Sequence, residues 1–206
     1  FKENCVDDIC FGDWNAPVEI SGNYGFKGGG IYGSDNSTVG IYNTIIKNNH
    51  AHNGGALYAE NNSYIWATHY PGRIQDCWAP GSCVQFKGNQ AWWGGVISSR
   101  NSKVEVNGAQ ISNNTAANGV ISYSFDAGEI NIVSSIISKN GQIDNNYLDR
   151  ELFLADAEYS GQLPLPSKTI LDYVTVVDNY VFENVVKNIG GSVDIHSSII
   201  FDDQEM

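Results

Sequence analysis

The sequence predicts an all-β chain wound as a right-handed parallel β-helix solenoid, with about seven coils of ~25 residues and three short strands in each. Three observations carry this. The first is a recurring apolar-x-x-Asn unit at Ile20/Asn23, Ile46/Asn49, Phe86/Asn89, Ile111/Asn114, Ile137/Asn140 and Val176/Asn179, closing in the variant Ile200/Asp203. Successive Asn or Asp positions lie 26, 40, 25, 26, 39 and 24 residues apart, a period typical of stacked repeats. The second is period-two alternation upstream of each anchor: Val39 and Ile41, Val104 and Val106, Ile130 and Ile132, Val193 and Ile195. That spacing marks half-buried strands. The third is the near absence of helical spacing, in a composition whose Gly and β-branched residues oppose helix.

Each coil is then read in order. The alternating pair forms one strand and the anchor lies in a second, as in Asn43–Ile46 and Ser134–Ile137. A third follows the Asn after a Gly-rich turn, in Gly29–Tyr32, Gly55–Tyr58, Gly95–Ser98 and Gly119–Ser122. Stacking predicts two internal columns, Ile31/Leu57/Ile97/Ile121 and Ile46/Phe86/Ile111/Ile137. Each such buried side chain contributes about 1.5–3 kcal/mol, offset by the entropy of ordering the chain. The recurring Asn predicts a ladder of Asn23, Asn49, Asn89, Asn114, Asn140 and Asn179, each amide donating one way and accepting the other, with a residue type that tolerates left-handed backbone at a corner.

The two long intervals predict inserted loops at 64–82 and 145–167 on a single domain spanning 1–206, with 1–19 as an N-terminal cap. Loops on a repeat scaffold commonly carry binding. Trp66, Tyr70 and Trp78 in the first insertion, with Trp92 and Trp93 beside the next Gly turn, are candidate binding aromatics for sugar rings or a protein hot spot. The competing expectation is that the insertion folds back and buries them.

A net charge of −12, with 11 scattered basic residues, argues against nucleic acid or an anionic membrane surface as partner. No apolar run is long enough for a membrane span. The opening at Phe1 and the lack of a leader pattern point to a processed protein or a piece of a larger one. Cys5, Cys10, Cys77 and Cys83 form two close pairs. They predict disulfides, with three connectivities open and local pairing the simplest, and so an oxidising, extracellular compartment. The spacings are too wide for a usual zinc site. The Asn-x-Ser/Thr sequons at Asn36, Asn61 and Asn113 match chance frequency and say nothing about glycosylation.

The pairing of Gly54-Gly55-Ala56-Leu57 with Phe86-Lys87-Gly88-Asn89 resembles the GGA-[Ile/Leu/Val] and FxxN repeats of chlamydial polymorphic membrane proteins, over roughly residues 20–140. Gly94-Gly95-Val96-Ile97 continues the closest match. The resemblance implies a pectin-lyase-like β-helix in a secreted, cell-surface adhesin or surface-layer component. The expected function is a non-enzymatic structural or adhesive segment that contacts a protein or glycan, without cofactor or metal. Two alternatives stand beside it: a polysaccharide lyase or hydrolase, and a subunit of an extracellular filament. An enzyme of that kind needs clustered carboxylates on neighbouring coils, whereas Glu105, Asn131 and Asp194 form a mixed column. His50 and His52 are expected to be solvated turn residues rather than metal ligands.

Overall fold

A computed structural model describes residues 9–11, 17–68, 83–141, 150–157, 166–181 and 183–201. The described residues wind through 24 strands. The first coil holds β1 (Ile9–Phe11), β2 (Val18–Ser21), β3 (Tyr24–Lys27) and β4 (Ile31–Gly33). The second holds β5 (Thr38–Tyr42), β6 (Thr44–Lys47), β7 (His50–Asn53) and β8 (Leu57–Glu60). Then come β9 (Tyr64–Thr68), β10 (Val84–Lys87), β11 (Gln90–Trp93) and β12 (Ile97–Arg100), followed by β13 (Lys103–Asn107), β14 (Ala109–Ser112), β15 (Thr115–Asn118) and β16 (Ser122–Phe125). The last coils contain β17 (Glu129–Val133), β18 (Ile136–Ser138), β19 (Glu151–Asp156), β20 (Lys168–Asp172), β21 (Thr175–Val177), β22 (Asn184–Ile189), β23 (Ser192–His196) and β24 (Ile199–Phe201).

Every strand pairs in parallel with its equivalent one coil on, giving four sheets. Sheet A runs β1-β5-β9-β13-β17-β20-β23 and sheet B runs β2-β6-β10-β14-β18-β21-β24. Sheet D runs β4-β8-β12-β16-β19-β22. Sheet C, β3-β7-β11-β15, is an addition to the three strands expected per coil. Its strands occupy the few residues between the ladder Asn and the Gly turn, where the sequence read as a connection. Among the described residues, sheet C runs no further than β15.

The anchor column is as expected and longer: Ile20, Ile46, Phe86, Ile111, Ile137, Val176 and Ile200 share one register. From Ile46 to Val176 its members are buried. The other column differs at one rung. Ile97 pairs with Ser122, not Ile121, because the turn keeps its length: Trp93 pairs with Asn118, Gly119 stands where Gly94 does and Val120 takes the place of Gly95. Ile121 remains in the core, one position earlier.

The Gly turn uses its two glycines differently. Gly54 has φ +64°, and a Cβ there would collide with the carbonyl of Leu57. A Cβ on Gly55 would collide with the carbonyl oxygen of Gly95 in the next coil. The first glycine turns the chain and the second lets consecutive coils approach.

The inserted segments are shorter than expected. Tyr64–Thr68 is β9 of sheet A, since Ile65 and Ala67 are fully buried and join the core. Within 145–167, Glu151–Asp156 is β19 of sheet D, with Leu152 and Phe153 buried. Within 1–19, Ile9–Phe11 pairs with β5 and Val18–Glu19 already belongs to β2. Residues Cys5, Tyr70, Cys77, Trp78 and Asp203, and the side chain of Cys10, lie outside the described residues.

Candidate functional site

The Asn ladder is continuous. Nδ2 of each Asn donates to Oδ1 of the next: Asn23 to Asn49 at 3.0 Å, Asn49 to Asn89 at 3.1 Å, Asn89 to Asn114 at 3.0 Å, Asn114 to Asn140 at 2.9 Å and Asn140 to Asn179 at 2.9 Å. The backbone N–H of each of these donors reaches the same oxygen. From Asn49 on, each Nδ2 also donates to the anchor carbonyl of the preceding coil, as Asn89 does to Ile46 at 2.9 Å. The apolar-x-x-Asn spacing therefore holds one coil to the next through both of its ends. The left-handed residue at this corner is not the ladder Asn. It is the residue before it: Gly22, Asn48, Gly88, Asn113, Lys139 and Asp178 all have positive φ.

Sheet C lies between this corner and the Gly turn, so two rigid corners fix its four-residue strands. Its inward positions Gly25, Ala51, Ala91 and Ala116 stand in register, and their small size lets the sheet sit close over the core. Its outward side chains form two rows. One row is Tyr24, His50, Gln90 and Thr115, again in register. The other is Phe26, His52, Trp92 and Ala117, each two residues further along its strand. The Tyr24 and His50 rings stack at 4.7 Å and 5°, and those of Phe26 and His52 at 4.8 Å and 13°. Tyr24 is 83% exposed, Phe26 68% and Trp92 49%. Thr115 and Ala117 are buried and close the strip at the fourth coil.

None of these eight positions holds Lys, Arg, Asp or Glu. The other faces are charged. Sheet A carries the Lys103–Glu105, Lys103–Glu129 and Lys168–Asp194 pairs, and sheet B carries Glu19–Lys47. The junction of sheets C and D carries Lys27–Glu60 at 2.6 Å. There Glu60 also accepts hydrogen bonds from the hydroxyls of Tyr32 and Tyr58. Burial pushes the Glu60 carboxyl upward, but the bonds from Lys27 and Tyr32 outweigh it and hold the group below the ordinary carboxylate range. Further along the junction, Tyr58, Tyr123, Phe125 and Leu154 make a second apolar cluster against Trp93 and Ile189.

The candidate aromatics are thus dispersed. Trp66 lies on sheet A, half-buried, its ring edge-on to Tyr42 at 4.6 Å. Trp93 stacks on Tyr123 at 4.9 Å in the junction cluster. Trp92 and Trp93 both belong to β11 of sheet C, but of the described three only Trp92 is exposed on its outer face. Sequence reasoning missed its companions Tyr24, Phe26, His50 and His52. The two histidines are strand residues of β7, not turn residues. The signal was present in the register, since Asn23, Asn49 and Asn89 are each followed at the same offsets by these side chains. Cys83 is buried and is not a free thiol.

Parallel sheets in shared register, closed by a continuous Asn ladder, define a parallel β-helical repeat protein. A family model described as the Chlamydia polymorphic membrane protein repeat matches residues 43–60. That stretch spans β6, the ladder corner at Asn49, β7, the Gly turn and β8, and so frames the middle of sheet C. No curated protein and no solved structure matches the chain.

Proposed function

We propose that the chain is part of an extracellular cell-surface protein, with a non-enzymatic structural and adhesive role. A stiff β-helical scaffold holds one lateral face toward a protein or glycan partner. The observation that carries this reading is the uncharged, exposed aromatic face of sheet C. Exposed aromatics on rigid strands engage a partner at small entropic cost. The repeat matched at 43–60 is that of a polymorphic membrane protein of Chlamydia, which supports the location. Disulfides among Cys5, Cys10, Cys77 and Cys83 belong to the same reading.

The test is attachment of the labelled chain to cells and to a mixed protein and glycan array. Saturable binding without shortening of any bound polysaccharide is expected. Release of shortened chains would overturn the non-enzymatic role. The last rung favours a second reading, assembly end to end. Among the described residues, Ile199 is 64% exposed and Phe201 58%, on β24, and no further strand pairs with β23 or β24. Concentration-dependent mass by light scattering distinguishes it.

A further inference from the structure

We infer that the sheet C face is a binding platform for an uncharged polysaccharide; this deepens the adhesive reading above and rests on it. The platform comprises Tyr24, Phe26, His50, His52, Gln90 and Trp92, two from each of three successive strands. Sugars offer an apolar C–H face and a rim of hydroxyls. The two rows match that division. Phe26 and Trp92 supply exposed ring surface, with His52 between them. The neighbouring row supplies the hydroxyl of Tyr24, the imidazole of His50 and the amide of Gln90 as hydrogen-bond partners.

Charge selects among ligands. A uronate, sialylated or sulfated chain requires cations for tight binding, and the strip has no Lys or Arg. Lys27, next to Phe26 in β3, is engaged by Glu60 through both carboxylate oxygens at 2.6 and 2.7 Å. In a chain of net charge −12, an anionic polymer is also repelled at long range. An uncharged glucan, mannan, xylan or galactan meets neither obstacle. Because both corners of sheet C are held by the Asn ladder and the Gly turn, the platform is preformed and loses little freedom on binding.

The test is affinity electrophoresis and calorimetry of the whole chain against soluble neutral glucans, mannans, xylans and galactans, with polygalacturonate and heparin as charged comparators. Retardation by at least one neutral polymer is expected, unchanged between low and high salt. Phe26→Ala and Trp92→Ala each lower the association constant about tenfold, and Tyr24→Ala/Phe26→Ala/Trp92→Ala together abolish it. Thermal melting of the variants shows that the fold is intact. Three results overturn the inference: no neutral polymer binds, binding is undiminished in the triple variant, or only charged polymers bind and salt removes them. Cell attachment that survives the triple variant leaves the adhesive reading standing and overturns this site alone. Loss of a protein partner in the triple variant, with no glycan bound, also overturns the sugar assignment.

Discussion

Asn114 donates its amide to Oδ1 of Asn140 at 2.9 Å and, with the same nitrogen, to the carbonyl of Phe86 at 3.0 Å. One side chain thus binds the coil below through its ladder neighbour and the coil above through its anchor. Its oxygen accepts both the N–H and the Nδ2 of Asn89, so no capacity of the amide is wasted in a fully buried site.

Replacing it is costly at the centre and mild at the end. Asn114→Ala takes the acceptor from the Asn89 backbone N–H and a donor from the Phe86 carbonyl in the interior, at about 1–3 kcal/mol for each orphaned group. A loss of roughly 2–4 kcal/mol is expected in urea unfolding. Asn23 is exposed and among the described residues makes only the forward bonds, so Asn23→Ala should cost under about 1 kcal/mol. Equal losses at both sites contradict a ladder that works by burial.

The Gly turn is equally specific. Gly55→Ala places a methyl inside the Gly95 carbonyl of the adjacent coil. Coils cannot separate locally without breaking Gly55 N–H to Gly94 at 3.0 Å. The variant should lose at least about 2 kcal/mol. Gly22→Ala, with φ +69° and nothing within 4 Å of the new methyl, should lose about 1 kcal/mol from backbone strain alone. Comparing the two midpoints separates collision from conformation.

Two carboxylates predict opposite responses to pH. Glu151 is fully buried; its Oε1 accepts from the Gly119 N–H at 3.2 Å, while Oε2 has no hydrogen-bond partner among the described residues and lies 3.9 Å from Lys187. Burial raises its carboxyl, only partly countered by Lys187. A raised carboxyl favours the folded state when protonated. Its contribution is complete below the unfolded value near pH ~4.3 and is lost as pH rises through the folded value. Glu60 is lowered. Its contribution is present above the unfolded value and is lost as pH falls through the folded one. Glu151→Gln should therefore gain stability at neutral pH, and Glu60→Gln should lose it. Urea midpoints from pH 3 to 8 decide both; a shared sign would refute the assignment.

The aromatics divide by location, not by residue type. Tyr123 is fully buried between Phe125 at 4.6 Å and Trp93 at 4.9 Å, so Tyr123→Ala should cost about 3–5 kcal/mol. Trp92→Ala, one residue from Trp93, should change stability by no more than about 0.5 kcal/mol. Thermal melts of the two variants, with Trp93→Ala between them, check the division. A large loss at Trp92 would make sheet C a structural face.

Much of the fold was legible because stacked coils repeat the same environment. Each rung needs an aliphatic inside, an amide at the corner and glycine where backbones meet, so Ile46, Asn49 and Gly55 recur at nearly fixed intervals. Sheet C escaped notice because its inward residues are Gly25, Ala51, Ala91 and Ala116, too small to show as hydrophobic alternation. The excursions were drawn too long for a related reason. In Tyr64–Thr68 the strand pattern is interrupted by aromatics on the outer face, and in Glu151–Asp156 apolar residues run continuously rather than alternating.

The periodic column and its ladder were thus determined by sequence alone, since a residue's role there depends only on its place in the repeat. Which aromatics share a face was decided only by tertiary structure. Trp66 and Trp92 are 26 residues apart, a full nominal coil, yet they stand on sheets A and C. Phe26, His52 and Trp92 meet across unequal intervals. The physical reason is that loop length costs little free energy, so an excursion can lengthen the chain between rungs without disturbing the hydrogen-bonded register. That register, not distance along the chain, sets which side chains become neighbours.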